Sequence, residues 1–183
     1  MSKGKTLLLG LMVALAALAA GIYTGQKNST TPPQAVPSLA NGSIERLFAS
    51  TLTDTNGKPQ AFAQWKGKTL VVNFWATWCP PCREEMPAFS RLQTKHAANG
   101  VQFVGIALDS PESVQAFAKQ TPVTYPLLNG DAEGTALAQQ LGNARLALPY
   151  TLVIAPSGEA SFARLGGLSE QELDAALLQT TRR

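Results

Sequence analysis

Apolar positions along the chain follow two rhythms. From Thr69 to Trp75 the run TLVVNFW is β-branched and aromatic with almost no polar break, the pattern of a strand buried on both faces. VQFVGIAL, Val101 to Leu108, repeats that pattern. Between them, Arg83 to Ala98 has helical composition. The helix is expected to start around Pro80, because proline is tolerated in the first turn, where the backbone N–H has no partner. Pro87 is expected to kink it. After the second strand, DSPESVQAFAKQ offers Ser110 as N-cap and Pro111 at the first helical position. Strand, helix, strand, helix predicts a right-handed crossover and a parallel pair.

The flanking segments add antiparallel pieces. RLFASTLTDTNGKPQAFAQWKG, from Arg46, reads as an N-terminal β-hairpin around Asn56-Gly57, a dipeptide that favours a tight turn. After Thr121 come a short extended piece, VTYPLLN, and a small helix, AEGTALAQQLG. LPYTLVIAPSGEASFARLGG then reads as two strands joined by Pro156-Ser157-Gly158, a connection short enough only for antiparallel neighbours. SEQELDAALLQT has a Ser169-to-Glu172 capping box and apolar spacing at Leu173, Ala176 and Leu177, so an amphipathic helix is expected at the end. The expected fold class is α/β, a central mixed β-sheet flanked by helices.

The first residues change the picture from fold to compartment. Lys3 and Lys5 precede TLLLGLMVALAALAAGIY, Thr6 to Tyr23, which carries no charge. Residues 1–24 are read as an uncleaved signal-anchor with its lysines on the cytoplasmic side, the alternative being a cleaved signal peptide. The run is at the short end of the roughly 17–25 residues a spanning helix needs, and Ala17 and Ala19 offer an A-x-A-like cleavage site. Residues 25–43, rich in Ser, Thr, Pro, Asn and Gly, read as a flexible linker, and 44–183 as one domain. Of the net charge of +3, two units belong to Lys3 and Lys5. No basic run remains to support nucleic-acid binding.

The two cysteines of the chain, Cys79 and Cys82, stand together in FWATWCPPCREEMP, at the junction of the central strand and its helix. A purely structural disulfide is a weak reading, since so short a loop removes little entropy from the unfolded chain. A closed zinc site needs four ligands, and the one histidine, His96, sits at the far end of the helix, where a solvated surface position is expected. No metal site is therefore assigned, although two thiolates suit a soft ion such as Cu(I), which keeps a copper-handling module as an alternative. A redox couple explains more. The first sulfur lies at the positive end of the helix dipole, which stabilises a thiolate. On that reading Cys79 is the exposed attacking sulfur and Cys82, turned inward, resolves the mixed disulfide. No cofactor is called for.

FWATWCPPC followed by REEMP, with LPYTLVIAPSGE downstream, resembles the membrane-anchored thioredoxin-like proteins of the TlpA/ResA type, relatives of the cytochrome c maturation reductase CcmG, also called DsbE. The resemblance runs from about Arg46 to the C-terminus and implies a thioredoxin-like fold, with Val123 to Leu141 matching an inserted strand–helix segment. It implies Cys79 as nucleophile, Cys82 as resolving cysteine and Pro149 as a cis-proline facing the disulfide. Leu148 would present its backbone to an extended substrate chain, with Trp78, Pro80 and Pro81 beside it. Trp75 and Trp78 would pack around the site, Trp75 as core. Glu85 matches an active-site glutamate. It shares the helix face of Cys82, three residues earlier, and is read as a proton shuttle, although an acidic group near a helix N-terminus is also favourable in itself. Glu84 points elsewhere. Thioredoxin's buried aspartate is replaced here by Asn73, which cannot take a proton, so proton transfer falls to Glu85 or to water.

No histidine stands between the cysteines to stabilise a reduced thiolate, which argues for a reductant. The expected activity is an extracytoplasmic, periplasmic thiol–disulfide oxidoreductase, working as a monomer. By analogy with the family, clients are disulfide-bearing exported proteins such as apocytochrome c or a copper-site assembly protein, and a membrane electron donor of thiol type re-reduces the pair. A disulfide oxidase or isomerase is a further alternative. A peroxidase is disfavoured, because the P-x-x-x-T-x-x-C signature is missing around Cys79.

Overall fold

The structure, a computed structural model, describes residues 39–181. The segment read as an anchor and most of the linker lie outside these residues. Among the described residues no helix is long and apolar enough to cross a membrane.

The centre of the fold is β3 (Thr69–Trp75), buried at all seven positions as its unbroken apolar run requires. It pairs in parallel with β4 (Val101–Ala107) and antiparallel with β6 (Tyr150–Ile154). Outward from β4 come β5 (Leu127–Asn129), β1 (Thr51–Asp54) and β2 (Pro59–Ala61); outward from β6 comes β7 (Ala160–Leu165). The sheet has seven strands in the order β2-β1-β5-β4-β3-β6-β7.

Alternation along β3 splits the core into two layers, because successive side chains leave opposite faces. Val71 and Trp75 pack with Met86, Phe89 and Leu92 of α2 (Pro80–His96), Val114 of α3 (Pro111–Gln120) and Leu173 and Leu177 of α5 (Glu170–Thr180). Leu70, Val72 and Phe74 pack on the other face with Leu47 of α1 (Ser43–Ala49) and Leu137 of α4 (Asp131–Gln140). Asn73 belongs to the α2 face, a polar residue in an apolar layer.

Two local expectations change. The linker read to residue 43 ends earlier: Ala40 N–H donates to the Gln140 carbonyl (3.2 Å), and Ser43, itself buried, opens α1. Ile44, Leu47 and Phe48 form that helix's apolar stripe, but over seven residues the pattern is too short to stand out. The β1–β2 hairpin exists, but its turn spans four residues, with Asp54 Oδ1 accepting from the Asn56 and Lys58 amides and Gly57 at φ 78°. Pro87, where a kink is expected, removes one ladder bond inside α2, which continues to His96.

The strand–helix segment after α3 is seated by a close approach. A methyl group at Gly130 would lie 2.6 Å from the Ala107 carbonyl oxygen and 2.9 Å from Ile106 Cγ2. Because the first of these is backbone, Gly130→Ala is expected to lower stability by about 1–3 kcal/mol, read as a lower urea midpoint with an unchanged slope.

Candidate active site

Cys79 is the N-cap of α2, with extended dihedrals (φ −95°, ψ 104°), and Pro80 and Pro81 occupy the first two helical positions. Neither proline has an N–H to leave orphaned, so the first free amide of the helix is that of Cys82. That amide lies 3.4 Å from Cys79 Sγ and donates to it. The two cysteines form a disulfide with Cα atoms 5.3 Å apart. Cys82 is wholly buried, as its inward helix face requires, but Cys79 is only 3 % exposed rather than open to solvent. In the oxidised pair its sulfur is turned back toward Cys82 and lies within the apolar layer under the sheet.

What stands open is the ring around the pair. Trp78 is 67 % exposed, and Pro80 and Pro81 are exposed beside it. Trp75 is fully buried, tilted against Phe117 of α3 with ring centroids 5.0 Å apart. Only Trp75 of the two tryptophans is packed, because β3 still carries its backbone and Trp78 lies in the loop beyond the sheet. The peptide bond between Leu148 and Pro149 is cis. Pro149 is buried and its carbonyl accepts from the Gly166 amide (2.8 Å). Leu148 is half-buried and touches both core layers. The Gly166-Gly167 bend brings the chain against Pro81, where a methyl at Gly167 would be 3.8 Å from the proline Cβ. Disulfide, Pro149 and this bend therefore share one end of the sheet.

Beneath Cys82, one helical turn on, Glu85 is 5 % exposed. Its Oε1 accepts from Asn73 Nδ2 (3.0 Å) and its Oε2 from the Leu168 amide (3.1 Å). Asn73 also donates to Thr151 Oγ1 (3.1 Å), which fixes its amide between β3 and β6. Burial pushes the Glu85 carboxyl from its ordinary 4.5 up to about 7; the Leu168 and Asn73 hydrogen bonds pull the other way and are outweighed. A carboxyl poised near neutrality can both accept and return a proton at working pH. Glu84, its neighbour, is exposed. Leu168 and Thr151, the partners that complete this pocket, carry no signal in the sequence, since one acts through its backbone and the other looks like any strand threonine.

His96 is not on the surface as expected. It is 3 % exposed, and its Nε2 lies 2.6 Å from Asp174 Oδ1. Lys95 joins the same carboxylate at 2.8 Å, and Arg91 pairs with Glu170 at 2.7 Å, so these residues tie α2 to α5. The reason is tertiary: α5 lies across the end of α2 and covers the imidazole. His96 lies about 21 Å along the helix from Cys82, so it shares no site with the cysteines.

A disulfide-bonded cysteine pair at a helix N-terminus, with a buried near-neutral carboxyl one turn on and Pro149 at the same end of the sheet, is the arrangement of a thiol–disulfide oxidoreductase of thioredoxin-like fold. The Redoxin family profile matches residues 32–177. The thiol-disulfide oxidoreductase ResA of Geobacillus kaustophilus is 30% identical over 175 residues, covering 95% of each chain. Among solved structures, the thioredoxin-related protein of Neisseria meningitidis serogroup B superposes with a TM-score of 0.65 at 36% identity, covering 72% of this chain and 99% of that one. A thiol:disulfide interchange protein of the thioredoxin family from Chlorobium tepidum gives 0.64 at 30%, covering 81% and 99%. The chain belongs to the Redoxin family, as a thioredoxin-like protein of the ResA/TlpA type.

Proposed function

We propose that the protein reduces disulfides of exported client proteins on the extracytoplasmic, periplasmic side of a membrane to which residues 1–24 anchor it. The observation that carries the reducing direction is the setting of Cys82. It is wholly buried, with Glu85 one turn away on the same helix face and no cation among the described residues acting on that carboxyl. An oxidant of this fold is strong because its reduced form is stabilised, and a Cys82 held as a neutral thiol in this apolar setting adds no such stabilisation.

The electron count closes within the pair. The Cys79 thiolate attacks one sulfur of the client disulfide, forming a mixed disulfide and expelling one client thiolate. Glu85 takes the Cys82 proton, and the Cys82 thiolate attacks Cys79 Sγ, expelling the second client thiolate. Two electrons pass to the client and the protein is left with the Cys79–Cys82 disulfide. A membrane dithiol donor reduces it by the same exchange. Haem-site cysteines of an apocytochrome c, or those of a copper-site assembly protein, suit the role of client.

The test is the reduction potential of the full chain equilibrated against dithiothreitol buffers, with Trp75 and Trp78 fluorescence as reporter. A value at or below about −250 mV, toward thioredoxin, is expected. A value between about −120 and −180 mV, the range of strong oxidants and isomerases, overturns the reductase assignment.

A further inference from the structure

The inserted segment β5–α4 has no part in the chemistry above, yet the chain leaves it through a closed ring of hydrogen bonds one residue short of Leu148. Asn143 is 2 % exposed, and every polar group it has is used. Its amide donates to the Ala138 carbonyl (2.9 Å), which ties it to α4, and its carbonyl accepts from the Leu146 amide (3.0 Å). Its side chain grips both sides of one peptide residue: Oδ1 accepts from the Ala147 amide (3.1 Å) and Nδ2 donates to the Ala147 carbonyl (2.9 Å). Backbone outside a sheet seldom receives so complete a partner, and here a side chain substitutes for the missing strand.

What the ring holds is an unfavourable turn. Leu146 has φ 53°, the left-handed region that side chains with a Cβ resist, and it lies half-buried against the α4 face of the core. On the far side of Pro149, the Tyr150 hydroxyl donates to the Leu141 carbonyl (2.7 Å), so the same helix end is tied to the chain both before and after Leu148-Pro149. Tyr150 is paired with Phe74, the last pair of the antiparallel β3–β6 ladder, so the chain before Tyr150 lies at the end of the sheet where β3 runs on into the cysteine motif.

We infer that Asn143 is a positioning residue: it clamps the Ala147–Leu148 backbone so that Leu148 is preset to receive an extended client chain beside Cys79. The inference rests on the proposed client docking at Leu148. It also assigns the inserted segment a role, as the rigid mount of the client-binding loop. Asn143 touches neither sulfur, so its loss acts on client binding before it acts on the exchange step.

The experiment measures steady-state reduction of insulin by the full chain with dithiothreitol as electron source, for the parent, Asn143→Ala and Trp78→Ala, with amide exchange followed at Ala147 and Leu148. Losing two hydrogen bonds that preorganise the loop is expected to raise KM about tenfold in Asn143→Ala while kcat changes less than about twofold. Exchange at the Ala147 amide should rise at the same time. Asn143→Asp keeps the acceptor for the Ala147 amide and loses the donor. It decides the matter if the alanine variant does not fold, with an expected rise in KM of about threefold. A raised KM in Trp78→Ala beside an unchanged one in the Asn143 variants overturns the clamp and leaves the docking reading standing. No change in either overturns both. A fall in kcat with KM unchanged shows that Asn143 serves the exchange step instead, and also overturns the clamp.

Discussion

Cys82→Ser is expected to leave Cys79 joined to its clients as stable mixed disulfides and to cut turnover of insulin by at least about 10³-fold. In the proposed exchange the buried sulfur expels the client, and without it the first step has no second. Cys79→Ser should lose the same activity and trap nothing, because Cys82 lies on the inward face of α2 while Cys79 stands at its N-cap beside the open ring of Trp78, Pro80 and Pro81. Non-reducing electrophoresis of the two variants, followed by mass spectrometry of the linked peptide, reads the outcome. Trapping by Cys79→Ser alone would reverse the roles of the two sulfurs.

The second large effect is expected at Glu85, and it has opposite signs in activity and in stability. If Glu85 takes the Cys82 proton as proposed, Glu85→Gln removes that acceptor and the resolution step should slow by about 10²-fold near pH 7. In the parent that step should accelerate as pH rises through about 7, where Glu85 ionises. In the variant the rise moves toward the ordinary thiol range near about 8.5. A stopped-flow pH profile that is the same in both proteins would sink the proton-shuttle role.

Stability should move the other way. A carboxyl whose ordinary pKa of 4.5 is pushed to about 7 in the folded state keeps its proton between those values while the unfolded chain loses it. The folded state therefore binds more protons in that window, and the parent loses stability as pH rises across it. The loss is complete above about pH 7 and is on the order of 3 kcal/mol as an upper figure. The introduced amide does not titrate. Glu85→Gln is expected to match the parent below about pH 4 and to exceed it at pH 8, measured by urea unfolding at both pH values. Asn73 can serve the new amide, because its Oδ1 has no partner among the described residues and a flipped side chain would offer it as acceptor. A site that is more stable without its acid is holding that acid for function.

Glu170 and Asp174 sit by cations at the surface, and hydrogen bonds from Arg91 to the first and from Lys95 to the second hold their carboxyls below the usual range. Only Glu85 among the carboxyls with a resolved shift is pushed upward, and it is the one that lies next to the cysteines. Exposed pairs of this kind contribute little to stability, so the α2–α5 contact rests mainly on its apolar layer.

Much of this molecule was legible from local pattern. The buried strands β3 and β4, the start of α2 at Pro80, the Ser110 cap with Pro111 and the Ser169–Glu172 capping box all appear where short-range sterics and hydrogen bonding place them. The cysteine motif was legible for the same reason, because a strand end, two prolines and a helix start occupy consecutive residues. Elsewhere the deciding contacts are far apart in the chain. Leu168 reaches Glu85 across 83 positions, β1 joins the sheet through Thr53 and Asn129, and His96 is covered by a helix that begins at Glu170. No local preference encodes these meetings. They follow from how the layers stack, and the pKa of Glu85, the burial of Cys79 and the grip of Asn143 on Ala147 exist only once the stacking has removed water and brought those groups together.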